Sequence, residues 1–299
     1  MKLPEFFRTS RPVVSFELFP PRTPKGLADL DERLPRLLEL GPSFLTVTYG
    51  ALGSTRERTL EIASRIRNHY GKDVAHHLTC VGATQSEIAR IVAEIRDAGI
   101  DNVVALRGDP PQGETEFRPV PGGFRYANEL VGHLRQHTDF GIAVAGYPEV
   151  HVEARDATVD LENLKRKTDA GADVVVTQLF YDNGDYRRFV ERCRAAGITQ
   201  PIVPGLMPIL NVDQIKRITS MCGSKIPASL AAALEAVRDQ PGKVHELAVQ
   251  HTAAQARELL QEGVPGIHFY VLNQSTQIAE IMERIRPALE ARGGVAPGG

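Results

Sequence analysis

The sequence is poor in cysteine. Cys80, Cys193 and Cys222 are far apart and odd in number, with no CxxC and no Cys/His spacing suited to zinc. That excludes a disulfide scaffold and a structural metal, and implies a reducing, cytoplasmic compartment. A surplus of charge of one sign is also missing. With a formal net charge of −2, nothing favours nucleic acid or an anionic membrane as a partner. No apolar run approaches transmembrane length, and the N-terminal MKLPEFFRTSRP lacks the apolar core of a signal peptide. What remains, 42% hydrophobic and 24% charged residues, is the composition of a soluble globular protein with a substantial core. The 299 residues suffice for one large domain or two ordinary ones.

Further absences narrow the chemistry. No strand is followed by GxGxxG opening a helix, and there is no P-loop. The first expected strand has no HxH pair, and the adjacent His76 and His77 point to opposite faces of theirs, so they cannot chelate together. No expected strand contains the lysine of a Schiff-base aldolase, and no GxSxG elbow or Cys/His pair is present. Metal chemistry and nucleophilic catalysis both lack their usual residues. An organic cofactor doing the hard step is the reading left.

What is present is an alternation. Apolar and β-branched runs at 13–19, 43–49, 74–80, 101–107, 141–147, 172–180, 201–206 and 266–272 read as eight strands. Helical patterns lie between them at 24–40, 55–70, 84–98, up to 137, 156–170 and 185–196. More follow near 211–221, within 226–238 and 244–262, and at 274–290. Thr84 with Glu87 forms a capping box. Eight strands alternating with helices predict an α/β fold, a (β/α)8 TIM barrel with extra helices before the last strand. The main competitor is a doubly wound open sheet, and it lacks its nucleotide device. No low-complexity linker divides the chain, so residues 1–292 are expected to form a single barrel catalytic domain, followed by a disordered Gly/Pro tail at 293–299.

Ligands of such barrels bind at the carboxyl ends of the strands. In the first strand Val14, Phe16 and Leu18 share one face and Ser15 and Glu17 the other. A carboxylate in so apolar a strand is costly unless protonated, paired or needed for chemistry. Other strand ends offer Thr46 and Thr48, then His77 and Thr79, then Arg107 and Asp109 with Ala105 below them on the same face. Small Ala143 and Ala145 lead to Tyr147, Glu149 and His151, and further ends supply Gln178, His268 and Tyr270. Each has a bland reading. A strand-end threonine bonds to backbone, His76 and His268 pack, Arg107 and Asp109 form a structural ion pair, and Asp160, Arg166 and Lys167 form a solvated helix face. Convergence on one end of one fold argues against the bland reading for the set, and Glu17 is read as functional outright.

Several motifs then carry a resemblance. They are SFELFPPR (15–22), TVTYGALGSTRERT (46–59), HLTC (77–80), ALRGDPP (105–111) and GYPEVH (146–151), followed by DLENLKRKTDAGAD (160–173), TQLFYD (177–182), PGLMP (204–208) and HFYVLN (268–273). In this order and over nearly the whole chain, they resemble the methylenetetrahydrofolate reductases, flavin-dependent barrel enzymes of one-carbon metabolism. The chain ends after the barrel, so it resembles the bacterial type. The resemblance implies a tightly bound FAD, NADH or NADPH as reductant, and conversion of 5,10-methylenetetrahydrofolate to 5-methyltetrahydrofolate, which supplies methyl groups for methionine synthesis.

By motif, the flavin contacts would be Thr48, Tyr49, His77, Arg107, Gly108, Asp109, Tyr126, Ala127, Tyr147, His151, Asp160, Asn163, Arg166 and Lys167, the last two neutralising the diphosphate. Glu17, Gln178, Gln214 and Tyr270 would face folate or nicotinamide. Glu17 would be the general acid, its pKa raised by burial among apolar neighbours so that it holds a proton near neutrality. Asp109, kept ionised by Arg107, would tune the flavin and stabilise a cationic iminium. Small molecules and further copies of the chain are the expected partners. Two positions depart from the family, Ile218 where an aromatic residue is common and Gln274 where Arg or Lys is, so folate contacts there are expected to differ. The alternatives are a flavin barrel oxidoreductase with another substrate and a flavin-free, folate-binding barrel without catalysis.

Overall fold

The computed structural model describes residues 1–49, 56–109 and 117–293. The expected loop 50–54, a helix start at Thr55, the Pro110–Pro111 pair and most of the expected tail lie outside the described residues. Strands and helices alternate as the patterning predicts. The strands are β1 Val13–Leu18, β2 Phe44–Val47, β3 Val74–Thr79, β4 Asn102–Leu106, β5 Gly141–Gly146, β6 Val174–Thr177, β7 Ile202–Val203, β8 Gly205–Leu206 and β9 Gly266–Tyr270. The helices are α1 Leu3–Phe6, α2 Pro24–Glu39, α3 Arg56–Asn68, α4 Gln85–Asp97, α5 Ala127–His137, α6 Ala157–Asp169, α7 Asn183–Ala195, α8 Val212–Cys222, α9 Ala228–Ala236, α10 Pro241–Gln261 and α11 Ser275–Ala291. The capping box forms, with Glu87 N donating to Thr84 Oγ1 and Thr84 N to the Glu87 carboxylate.

All strand pairs are parallel, in the order β7-β6-β5-β4-β3-β2-β1-β9-β8. The open ends of that order are the two halves of the expected seventh strand, 201–206. Pro204 has no N–H to give a ladder, so the strand bends there. Its first half pairs with β6 and its second with β9. The Pro204 carbonyl accepts from His268 N at 2.9 Å, and Gly205 N donates to Thr177 Oγ1 at 2.9 Å. The sheet therefore closes into a (β/α)8 barrel, and an open doubly wound sheet is excluded.

Two apolar layers follow from strand alternation. Outward residues such as Val14, Phe16, Leu18, Leu45, Val103 and Val144 pack under the helices. Inward residues Val13, Phe44, Ala75, Val104, Ala143, Val174 and Val203 fill the lower barrel together with Leu3. Leu3 belongs to α1, a short helix that the periodicity did not anticipate because four residues carry no period. It plugs the amino-terminal end of the barrel, held by Leu3 N donating to Asn102 Oδ1 at 2.6 Å and Asn102 Nδ2 donating to Met1 O at 2.9 Å. Full burial of one leucine contributes about 2 kcal/mol.

One inferred face is corrected. Ala105 stays beside Arg107 and packs into the helix-facing core, but it does not lie beneath Asp109, while Val104 and Leu106 point inward. β4 ends at Leu106, and Gly108 at φ +88° breaks the alternation, which turns Asp109 to the mouth beside Arg107. A Cβ at Gly108 would meet Val81 Cγ1 at 2.8 Å, so the turn excludes a side chain on space as well as on φ.

Candidate active site

A cavity of about 480 Å³ opens at the carboxyl ends of the strands. Glu17 projects into it from β1, with its side chain 18% exposed. The pairing register sets Glu17 opposite Thr46 of β2 and Tyr270 of β9. Around its Oε2 stand His77 Nε2 at 3.3 Å, His268 Nε2 at 3.5 Å and the Thr46 hydroxyl at 3.4 Å. His268 is buried, and its Nδ1 lies 2.8 Å from Ser15 Oγ. Ser15, Glu17, Thr46, His77 and His268 thus form one polar cluster on an apolar floor.

This environment corrects the expected proton affinity of Glu17. Burial does push its carboxyl up and is the largest single influence, but hydrogen bonds and charge from His268 and His77 together outweigh it. The net effect lowers the carboxyl from the ordinary 4.5 to about 2. Glu17 is therefore ionised at neutrality, not a stored acid. Because the folded value lies below the unfolded one, the stabilisation is complete above about pH 4.5 and is lost as pH falls towards 2. The unfolding free energy from denaturant titrations should fall by roughly 2 kcal/mol between about pH 5 and 3. Glu17→Gln should flatten that slope; an identical acid limb in the variant would contradict the assignment.

The other expected residues divide between two connected spaces. Thr48, Tyr49, Gly108, Asp109 and Gln178 line the mouth with Glu17, His77 and Tyr270. Tyr126, Ala127, Asp160, Asn163, Arg166 and Lys167 line a groove of about 780 Å³ beside it. Arg107, Tyr147 and His151 belong to both. Gln214 lines neither. It sits in the first turn of α8, its N–H donating to Asn211 Oδ1 at 2.8 Å, and the α8 residue that reaches the cavity is Ile218, one turn on. Tyr270 donates from its hydroxyl to Thr177 O at 2.6 Å, and burial raises its pKa well above the usual range.

The groove is cationic. Lys167 is a half-buried lysine that enters from α6 rather than from a strand. Its Nζ donates to Ala145 O at 2.5 Å and lies 5.8 Å from the centre of the Tyr147 ring. Burial lowers it to about 8, against the pull of Asp160. Asp160 is buried, its carboxylate accepting from His151 N at 3.3 Å, so it is no part of a solvated face. A flat dinucleotide fits this donor set. Arg166 and Lys167 face the groove, the partly desolvated Lys167 would gain from an anion, and Ala145 leaves room beside Tyr147.

Arg107 differs from expectation. Its ion pair is with Glu153 rather than Asp109, a bidentate contact at 2.5 and 2.6 Å, and its Nε donates to Gly108 O at 3.1 Å. Pairing with Glu153 raises the Arg107 pKa and lowers that of Glu153. Sequence reasoning missed Glu153, Ser15 and the role of His268. Ser15, on the Glu17 face of the strand, and His268, among the polar strand ends, carried a signal that pointed here; Glu153 carried none.

A family model described as methylenetetrahydrofolate reductase matches residues 2–286. The probable methylenetetrahydrofolate reductase (NADH) of Oryza sativa subsp. japonica is 43% identical over 292 residues, covering 94% of this chain and 49% of that protein. The 5,10-methylenetetrahydrofolate reductase of Escherichia coli (strain K12) is 41% identical over 279 residues, covering 92% of each. The chain thus spans about half the length of the plant relative and nearly all of the bacterial one. A solved structure described as an uncharacterized protein from Clostridium thermocellum that binds two copies of 5-methyl-5,6,7,8-tetrahydrofolic acid superposes with a TM-score of 0.62 at 16% identity. It covers 96% of this chain and 98% of that one, and shows the same fold.

Proposed function

Because the chain belongs to the methylenetetrahydrofolate reductase family, we propose that it reduces 5,10-methylenetetrahydrofolate to 5-methyltetrahydrofolate with NADH or NADPH as donor and FAD as the resident cofactor. One observation carries the reading: a half-buried carboxylate held between two imidazoles opens on the same cavity that a cation-lined, dinucleotide-sized groove enters. The oxidoreductase chemistry comes from the family. The residue roles below rest on the geometry.

Arg166 and Lys167 would hold the diphosphate, with Asn163, Tyr126 and Ala127 along the same groove. When bound, FAD supplies a two-electron hydride relay between nicotinamide and folate. The protein's own task is the proton. Opening the five-membered ring of methylenetetrahydrofolate leaves an electron pair on the departing nitrogen, which must be protonated. A carboxyl held near 2 has no proton of its own to give at neutral pH, so we assign delivery to the cluster. Glu17, held between His77 and His268, relays a proton from solvent to the nitrogen as its bond to the methylene carbon breaks. The Thr46 hydroxyl and the Ser15–His268 contact fix the carboxylate and the ring. Asp109, at the rim, would face the cationic iminium that ring opening creates. Gln178 and Tyr270 would orient the pterin. We further propose that residues 1–292 act as one catalytic domain in the cytoplasm and that copies of the chain associate. Among the described residues, no helix is long and apolar enough to cross a membrane.

The experiment is a visible spectrum. The purified protein, supplemented with FAD, should be yellow, bleach anaerobically with NADH or NADPH, and regain colour when methylenetetrahydrofolate is added. A colourless protein that takes up no FAD would remove the proposal, and bleaching without recovery would point to another substrate.

A further inference from the structure

Arg107 forms part of the wall shared by the mouth and the groove, where a cation is best placed to meet an anionic ligand. Its donors are nevertheless occupied from within. Two nitrogens engage both carboxylate oxygens of Glu153, Nε engages Gly108 O, and the guanidinium lies 5.0 Å from the centre of the Phe117 ring. Glu153 itself lines the groove, 41% exposed, from the loop between β5 and α6, where its backbone N–H donates to His151 Nδ1 at 3.1 Å. A fork-to-fork pair is the geometry in which an arginine would also take a phosphate. The carboxylate on its exposed side can turn to solvent without moving the fold.

We propose that Glu153 is an internal competitor for Arg107, occupying the guanidinium until an anionic dinucleotide displaces it, and so sets the affinity of the groove for that ligand. This rests on the FAD reading above and goes beyond it, since that reading requires only that Arg107 be near the cofactor. Because the pair is partly exposed, each partner's alternative is solvated and the competition is modest.

The test dilutes FAD-loaded protein stepwise and reads released flavin by its fluorescence, in the wild type, Glu153→Gln, Arg107→Gln and the double variant. Glu153→Gln should hold FAD roughly threefold to fivefold tighter, and the gain should vanish in the Arg107→Gln background. Equal or weaker binding by Glu153→Gln would overturn the proposal, because Glu153 would then be positioning Arg107 for the cofactor. A gain that persists without Arg107 would overturn it as well, reducing the effect to net charge. If no variant, wild type included, retains FAD, the cofactor reading itself fails and this inference falls with it.

Discussion

Glu17→Gln should leave anaerobic bleaching of the flavin by nicotinamide within about twofold of wild type while slowing the return of colour with methylenetetrahydrofolate by roughly 10² to 10⁴, the range for loss of a positioned proton donor. Glutamine keeps the volume of the side chain and a hydrogen-bonding tip between His77 and His268, so the cavity should survive. What is lost is a group that can take a proton from solvent and give it to the nitrogen. The two half-reactions divide because hydride transfer from nicotinamide to flavin needs no protonation of folate. Stopped-flow absorbance of each half-reaction separates them. A folate half-reaction near the wild-type rate would remove Glu17 from the mechanism, and equal slowing of both would mean that the substitution disturbed the cofactor site.

Glu17 was legible from local sequence alone, because a carboxylate in an apolar strand is conspicuous wherever it lies. The direction of its pKa was not, since that depends on which side chains β3 and β9 bring against it. His268 reads as core in isolation, being buried in a strand of Gly, Ile, Phe and Tyr. Only closure of the barrel, which pairs β9 with β1, makes it a partner of Glu17. The strand-and-helix alternation and the capping box at Thr84 were readable because their signals are periodic or local. Glu153 had neither kind of signal. It is one carboxylate in a loop, and its contact with Arg107 spans two strand ends. Asp109 was grouped with Ala105 for a related reason. Alternation counts residues correctly only while the backbone stays extended, and the positive φ at Gly108 ends that count.

Barrel closure and the substrate face also meet at one glycine, which gives the largest expected effect on stability. A Cβ at Gly205 would fall 2.2 Å from Thr177 O, 2.7 Å from Tyr270 Cε2 and 2.9 Å from the Tyr270 hydroxyl. The first of these is backbone of β6, which cannot step aside without opening the ladder that β7 makes with it. The other two belong to the side chain whose hydroxyl bonds Thr177 O. Gly205→Ala should therefore cost at least about 3 kcal/mol, the upper end for overpacking in a close-packed interior. Whatever protein folds should also show a weakened folate half-reaction, because Tyr270 must leave its place. Gly132 provides the contrast. It lies within α5 with nothing within 4 Å of an added Cβ, so Gly132→Ala should be neutral or stabilising by up to about 1 kcal/mol. Thermal melts of the two variants side by side decide it. An unchanged melting temperature for Gly205→Ala would mean that the backbone gives way at the Pro204 bend, and that closure of the barrel does not depend on the close approach of β6, β8 and β9.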